Sequence, residues 1–254
     1  MKTTLIISTY NWPDALELVL LSVEKQTVQP DEIIIADDGS TKDTFEVLKK
    51  FKVKHIWHND DGFRKTIILN KAINSSTGNY IIQTDGDCIL HSNFIEDHIR
   101  LSQENTYLYG SRVNISEEIL SEMYTNKIIN FNIFSKGISK RTRALWIPFF
   151  SSFYKQKLEV SKKLRGCNIS YWKKDFISVN GYNEDMTGWG REDSELFIRM
   201  NNKGVNGRRI RYSGIVYHIW HHSFSKHNLN KNDLIQKKTI ENKTSWCTNG
   251  VDKY

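Results

Sequence analysis

Four short apolar runs separated by helix-like stretches constrain this chain more than any other feature of it. The runs cover residues 4–8, 32–36, 53–57 and 80–84. Between the first two, Leu16, Val19, Leu20 and Val23 recur at helical spacing. Pro13 suits the first turn of that helix, with Asn11 or Trp12 at its cap. Residues 44–50 and 64–74 read as two further helices. Alternation of this length predicts a mostly parallel central sheet with right-handed crossovers, flanked by helices, in an α/β fold. The unbroken run Ile33-Ile34-Ile35 fits a strand covered on both faces.

In sheets of this kind, ligands bind beyond the carboxyl ends of the strands. The polar clusters fall at those ends: Thr9-Tyr10-Asn11, Asp37-Asp38-Gly39-Ser40 and Asp85-Gly86-Asp87. Each alone is also what an ordinary polar turn looks like; their repetition at three strand ends favours one shared site. Asp38 is placed to hydrogen-bond a nucleobase or ribose, with Thr9, Tyr10 and Asn11 lining the same pocket. Two carboxylates flanking Gly86 form a hard-oxygen site suited to Mg²⁺ or Mn²⁺ with phosphate. Arg64 sits near a helix start, where an anion is favoured. No GxGxxG follows the first strand and no GxxxxGK[ST] occurs anywhere. That argues against a dinucleotide-dependent dehydrogenase and a P-loop NTPase.

The second half carries a different chemistry. A Trp between two glycines, Gly188-Trp189-Gly190, is a poor core element and reads as a flexible platform for a sugar ring. A helix from about Arg191 to Lys203 would put Asp193, Leu196, Phe197 and Met200 on one face. Asp193 then points inward, where a partly dry carboxylate can act as general base. Glu192 lies about a quarter-turn away. Histidines cluster at 218, 221, 222 and 227, and one of them could complete a metal site. If Tyr217 and His218 alternate across a strand, only one of the two faces the site.

Together these residues resemble the family 2 glycosyltransferases of the GT-A fold. The resemblance runs through Ser8-Thr9-Tyr10-Asn11, Asp37-Asp38-Gly39-Ser40, Asp61-Gly62-Phe63-Arg64 with Asn70, and Asp85-Gly86-Asp87. The second half is similar to the catalytic region of β-1,4-galactosyltransferases and bacterial chondroitin-polymerase enzymes. There it rests on residues 166–170, Asn180-Gly181-Tyr182, residues 188–193 and Tyr217-His218. The resemblance implies a single GT-A (Rossmann-like) catalytic domain and inverting transfer from a UDP-sugar. It assigns Asp38 to uracil with Thr9 and Asn11 nearby, Asp85 to the ribose side, and Asp87 and His218 to the metal. It assigns Asp193 to the base, Glu192 to sugar binding, and Trp189, Gly190 and Asn168 to the sugar or acceptor. With His218 as a ligand, Mn²⁺ suits the site better than Mg²⁺.

The expected organisation is a nucleotide-sugar half (1–115), a basic aromatic insert or lid (116–164), an acceptor half (165–225) and a C-terminal helix and tail (226–254). The chain's net charge is +7, yet residues 127–165 alone hold ten Lys and Arg against one Glu. The basicity is therefore local. Interleaved with Phe149, Phe150 and Phe153, it fits either docking on an anionic leaflet or a lid that orders over the acceptor. A rival reading takes the same stretch as a nucleic-acid platform. It leaves the strand-end carboxylates unexplained, so no nucleic-acid partner is expected. The expected partners are a UDP-sugar and a glycan or lipid-diphosphate-linked acceptor. Without an 18-residue apolar run, a signal peptide or a CxxC pair, the expected location is the cytoplasm, or the inner face of the cell membrane.

Overall fold

β1 (Thr3–Thr9) is the reason the first half folds as it does. It lies between β2 (Glu32–Asp37) and the later strand Tyr80–Asp85, parallel to both. All seven of its residues are buried. Side chains alternate across a strand, so Leu5 and Ile7 face one side and Ile6 the other. Leu5, Ile7 and Ile35 pack with Leu16, Val19 and Val23 of α1 (Pro13–Glu24). Ile6, Ile34 and Ile81 pack instead with Ile68, Leu69 and Ile73 of a helix at Lys65–Asn74. Each such side chain, fully buried, stabilises the fold by about 1.5–3 kcal/mol relative to exposure. Pro13 opens α1 and Trp12 takes the cap position.

The computed structural model describes residues 1–222 and 227–254. After β2 come α2 (Lys42–Leu48), β3 (Lys54–Trp57), α3 (Lys65–Asn74) and β4 (Tyr80–Asp85). Next are β5 (Cys88–Leu90), α4 (Phe94–Leu101), β6 (Thr106–Tyr109), β7 (Ser111–Ile115), α5 (Leu120–Thr125) and β8 (Ile138–Ser139). Then follow α6 (Pro148–Ser151), β9 (Gln156–Lys157), β10 (Asn168–Trp172) and α7 (Lys173–Ser178). The chain ends with α8 (Glu192–Asn202), β11 (Asn206–Arg209), β12 (Ile215–His218) and α9 (Leu229–Glu241).

The main sheet has eight strands in the order β3-β2-β1-β4-β10-β6-β11-β9. Its first half is parallel, as the alternation predicts. Its second half is mixed, because β10 runs antiparallel to both β4 and β6. A second sheet, β5-β12-β7-β8, sits beside it. In that sheet β12 pairs antiparallel with β5, setting His218 opposite Cys88 and next to Asp87. The sequence boundary expected at 225/226 falls on residues outside those described.

α3 and α8 share one face of the main sheet, where Leu196, Phe197 and Met200 join the cluster around Ile68 and Leu69. Behind that face of α8, Arg199 is wholly buried and bonds both carboxylate oxygens of Glu195. A buried pair costs desolvation and is stable only when its hydrogen bonds are satisfied; here Thr239 of α9 also donates to Glu195, at 3.0 Å.

Candidate active site

The strand ends and the first turns of α3 and α8 enclose one cavity of about 1060 Å³. Thr9, Tyr10, Asp38, Asp85, Gly86, Asp87, Trp189, Gly190, Glu192, Asp193 and His218 all line it. Three other expected site residues do not. Asn11 turns away and accepts the Thr41 amide at 2.8 Å. Arg64 sends its guanidinium to the Asn59 carbonyl and Asp61, while its backbone N–H donates to Asp38 at 2.9 Å. Asn168 is fully buried, and its amide donates to the carbonyls of Ser111 and Gly214. Its oxygen lies 3.1 Å from His98 Nε2. Polar side chains of this type read the same in sequence whether they serve a ligand or a nearby backbone.

At the nucleotide side, Asp37 is spent inside the fold. It accepts Ser40 N–H at 2.8 Å and faces His55 Nε2 at 2.9 Å. Asp38 is the carboxylate that reaches the cavity, fixed between His58 Nε2 at 2.7 Å and the Arg64 amide. Tyr10 is half exposed, its hydroxyl donating to Asp60 at 2.8 Å, which fixes its ring on the cavity wall. A Cβ at Gly86 would stand 2.9 Å from Thr9 Oγ1, so a side chain there requires Thr9 to shift.

The carboxylates are held together by a cation. Lys65 Nζ donates to Asp85 Oδ1 at 2.6 Å, and Ser8 Oγ donates to the same oxygen at 2.6 Å. Burial alone pushes the Lys65 ammonium down. The charges of Asp85, Asp193 and Glu192 outweigh it and hold it above its ordinary value.

Asp193 is reached by two donors, the Gly166 amide at 2.8 Å and Tyr182 Oη at 3.3 Å. Tyr182 in turn accepts from the buried Gln83 amide at 2.9 Å. A Cβ on Gly166 would meet Asp193 Oδ2 at 2.1 Å, so the closeness of that amide requires glycine. Burial raises the Asp193 carboxyl, while Lys65 pulls it back. Burial and the Asp193 charge push Glu192 up to about 7. Glu192 Oε2 is buried and has no protein partner.

Asp87, His218 and His221 each present a ligand atom, all within 4.8 Å of one another. Both imidazole Nε2 atoms lie 3.4 Å from Asp87 Oδ2. Tyr217 packs inward and donates to the Phe131 carbonyl at 2.7 Å, so the strand alternation turns His218 to the cavity. Burial lowers the His218 pKa and favours the neutral imidazole, the form a metal binds. One carboxylate and two imidazoles fit a divalent first-row ion.

Residues 4–163 match the family described as glycosyl transferase family 2. The chain belongs to that family. Residues 149–222 also match the family described as the N-terminal domain of galactosyltransferase. Chondroitin synthase of Escherichia coli is 23% identical over 235 residues, covering 85% of this chain and 34% of that protein. Validoxylamine A glucosyltransferase of Streptomyces hygroscopicus subsp. limoneus is 23% identical, covering 80% and 48%. The chain thus spans between a third and a half of these two relatives. An Escherichia coli protein, UDP-Glc:alpha-D-GlcNAc-diphosphoundecaprenol beta-1,3-glucosyltransferase WfaP, is 23% identical, covering 85% and 76%. Among solved structures, S. aureus TarS 1-349 in complex with UDP has a TM-score of 0.62 at 16% identity, covering 93% of this chain and 64% of that one. That likeness establishes a shared GT-A fold.

Within this frame, Lys65 is the site residue the sequence reading passes over, and His221 is one of the histidines it leaves open while assigning the metal to His218. Lys65 follows Arg64 with no periodic signal of its own; its role appears only where α3 and α8 begin side by side. His221 had a usable signal, its spacing from His218 just past a strand end. The Trp189 loop also differs from expectation. Its glycines take left-handed φ values of 75° and 107°, but the buried Asn232 of α9 bonds the carbonyls of Thr187 and Gly190. The platform is tied down at both ends.

Proposed function

We propose that this chain transfers a hexose or N-acetylhexosamine from a UDP-sugar to a glycan or lipid-diphosphate-linked hydroxyl, with inversion. One observation carries the reading: Asp38, the Asp87–His218–His221 group and Asp193 all line one cavity. That gives a nucleoside end, a diphosphate position and a base in continuous space. The UDP complex of the TarS neighbour supports UDP as the nucleotide.

Asp38, Thr9 and Tyr10 bind the uridine, and Asp85 meets the ribose. Asp87, His218 and His221 would hold a divalent cation, which would supply charge neutralisation for the departing diphosphate. Glu192 and Trp189 orient the sugar. Asp193 takes the proton from the acceptor hydroxyl as that oxygen bonds to the anomeric carbon. The bond from that carbon to UDP breaks on the opposite face, so an α-linked donor gives a β-linked product. Lys65 favours the ionised form of Asp193 through its charge.

A screen of UDP-sugars with Mn²⁺, followed by UDP release, needs no acceptor. Slow hydrolysis of at least one UDP-hexose or UDP-N-acetylhexosamine is expected. Failure of every UDP-sugar to bind or hydrolyse would overturn the reading.

Among the described residues, no helix is long and apolar enough to cross a membrane. Phe149, Phe150 and Phe153 nevertheless form an exposed ring cluster with centroids 5.4–6.2 Å apart. Contiguous exposed aromatics beside cations favour peripheral contact with an anionic leaflet, at the cytoplasmic face of the cell membrane. Vesicles containing phosphatidylglycerol should co-sediment the protein at low salt and release it at high salt. Equal behaviour with neutral vesicles would remove this part of the proposal.

A further inference from the structure

A second, smaller pocket of about 130 Å³ opens beside the active-site cavity, and its chemistry is unlike the rest of the molecule. Seven of its ten lining residues are Lys or Arg, and none is acidic. Lys140, Arg143, Lys163 and Arg209 belong to it alone; Arg112, Lys162 and Arg165 line both spaces. The two spaces therefore meet at a cationic wall. Arg165 directly precedes Gly166, whose amide holds Asp193.

Arg143 and Arg165 are oriented by carbonyls, which do not neutralise them, while Arg112, which also faces the main cavity, feels the charge of Asp87. Arg143 Nη1 donates to the Arg112 carbonyl at 3.1 Å, and Arg165 Nη1 to the Lys162 carbonyl at 2.9 Å. Arg209 lies over the Tyr154 ring, and its buried Nε has no hydrogen-bond partner. The charged neighbours acting on Arg143 are Arg211, Arg112 and Arg165; those acting on Lys140 are Arg143, Arg112 and Arg165. Burial and this repulsion lower the pKa of both groups. Crowding like charges in a pocket that no acidic residue lines destabilises the protein. An oxyanion placed among them would relieve the repulsion and collect charge-assisted hydrogen bonds.

We propose that this pocket is an anion subsite for the acceptor, binding a phosphate-type group while the acceptor hydroxyl reaches Asp193 past Arg165. The inference rests on the transferase reading above and narrows its acceptor to phosphate-bearing molecules. The donor diphosphate has its own position beside Asp87 and the two histidines. The anion can come from the diphosphate of a lipid carrier or from a phosphodiester within a glycan.

The test is calorimetric titration of inorganic pyrophosphate in metal-free buffer, on wild type and on R143Q/R209Q. Neither substituted residue lines the main cavity. Wild type is expected to bind pyrophosphate with excess UDP present, and the double variant at least tenfold more weakly. UDP binding with Mn²⁺ and slow UDP-sugar hydrolysis should be unchanged in the variant. Should the double variant melt early, K163Q, at an exposed position, replaces it with a smaller loss expected. Absent pyrophosphate binding, unchanged affinity in the variants, or complete displacement by UDP would overturn the subsite. Loss of Mn²⁺-dependent UDP binding in wild type would instead overturn the transferase reading. Separate titrations of geranyl diphosphate and a glycerol phosphodiester then distinguish the sources. Tighter binding of the first assigns the pocket to a lipid carrier, and of the second to a phosphate-bearing glycan.

Discussion

Asp193→Asn is expected to lower kcat by about 10²–10⁴-fold, the usual worth of a general base, while leaving UDP binding with Mn²⁺ nearly intact. The substitution keeps the size of the side chain, and an amide oxygen can still accept the Gly166 N–H that Asp193 Oδ2 now accepts at 2.8 Å. What it removes is proton affinity. The pH profile supplies a second readout. Burial raises the Asp193 carboxyl above its ordinary value, so the base is lost as pH falls through that raised pKa. The acid limb of kcat/KM should therefore lie above the ordinary carboxylate range. Lys65 favours the ionised forms of both Asp193 and Glu192. Lys65→Met should move the acid limb to still higher pH; a limb that moves down would contradict the assigned role of the ammonium. Wild-type turnover by Asp193→Asn would end the base assignment outright.

Much of this arrangement is written locally in the sequence. Unbroken apolar runs, buried on both faces, specify β1, β2 and β4, and the polar clusters ending them sit where a parallel sheet presents its ligands. Asp193 was legible because Leu196, Phe197 and Met200 fix the buried face of α8, and one periodic pattern orients all four. The antiparallel entry of β10 between β4 and β6 was not legible, since nothing in Asn168–Trp172 distinguishes the two directions of pairing. Nor was the second sheet, whose β12 meets β5 and β7 across long stretches of chain. Asn11, Arg64 and Asn168 show the opposite limit. Each carries suitable chemistry at a suitable position, yet each is engaged by a backbone carbonyl or amide that only the folded chain brings near. Lys65 is the complementary case: an ordinary lysine in sequence, partly buried in the fold among three carboxylates. A site rich in acid groups required a compensating cation, and no local pattern said which one.

The largest effect on binding rather than chemistry is expected from Asp87→Ala. Asp87 is the one carboxylate in the Asp87–His218–His221 group, and the two imidazoles bring no negative charge of their own. Loss of that charge removes the strongest electrostatic attraction for a divalent ion at this position, and with it the bridge to the diphosphate. A term of several kcal/mol is at stake, so Mn²⁺-dependent UDP affinity should fall by about two to three orders of magnitude. EDTA should abolish transfer by wild type, and Mn²⁺ should restore it better than Mg²⁺ because imidazole suits the softer ion. His218→Ala should narrow that preference, since it deletes a nitrogen ligand and leaves the carboxylate. Calorimetry of UDP with and without Mn²⁺ measures each of these directly. Asp193→Asn and Asp87→Ala thereby separate along different axes, one losing turnover at retained affinity, the other losing affinity first. Transfer that is indifferent to EDTA would remove the metal from the proposal and leave the cation role to basic groups already facing the cavity, Lys65 and Arg112 among them.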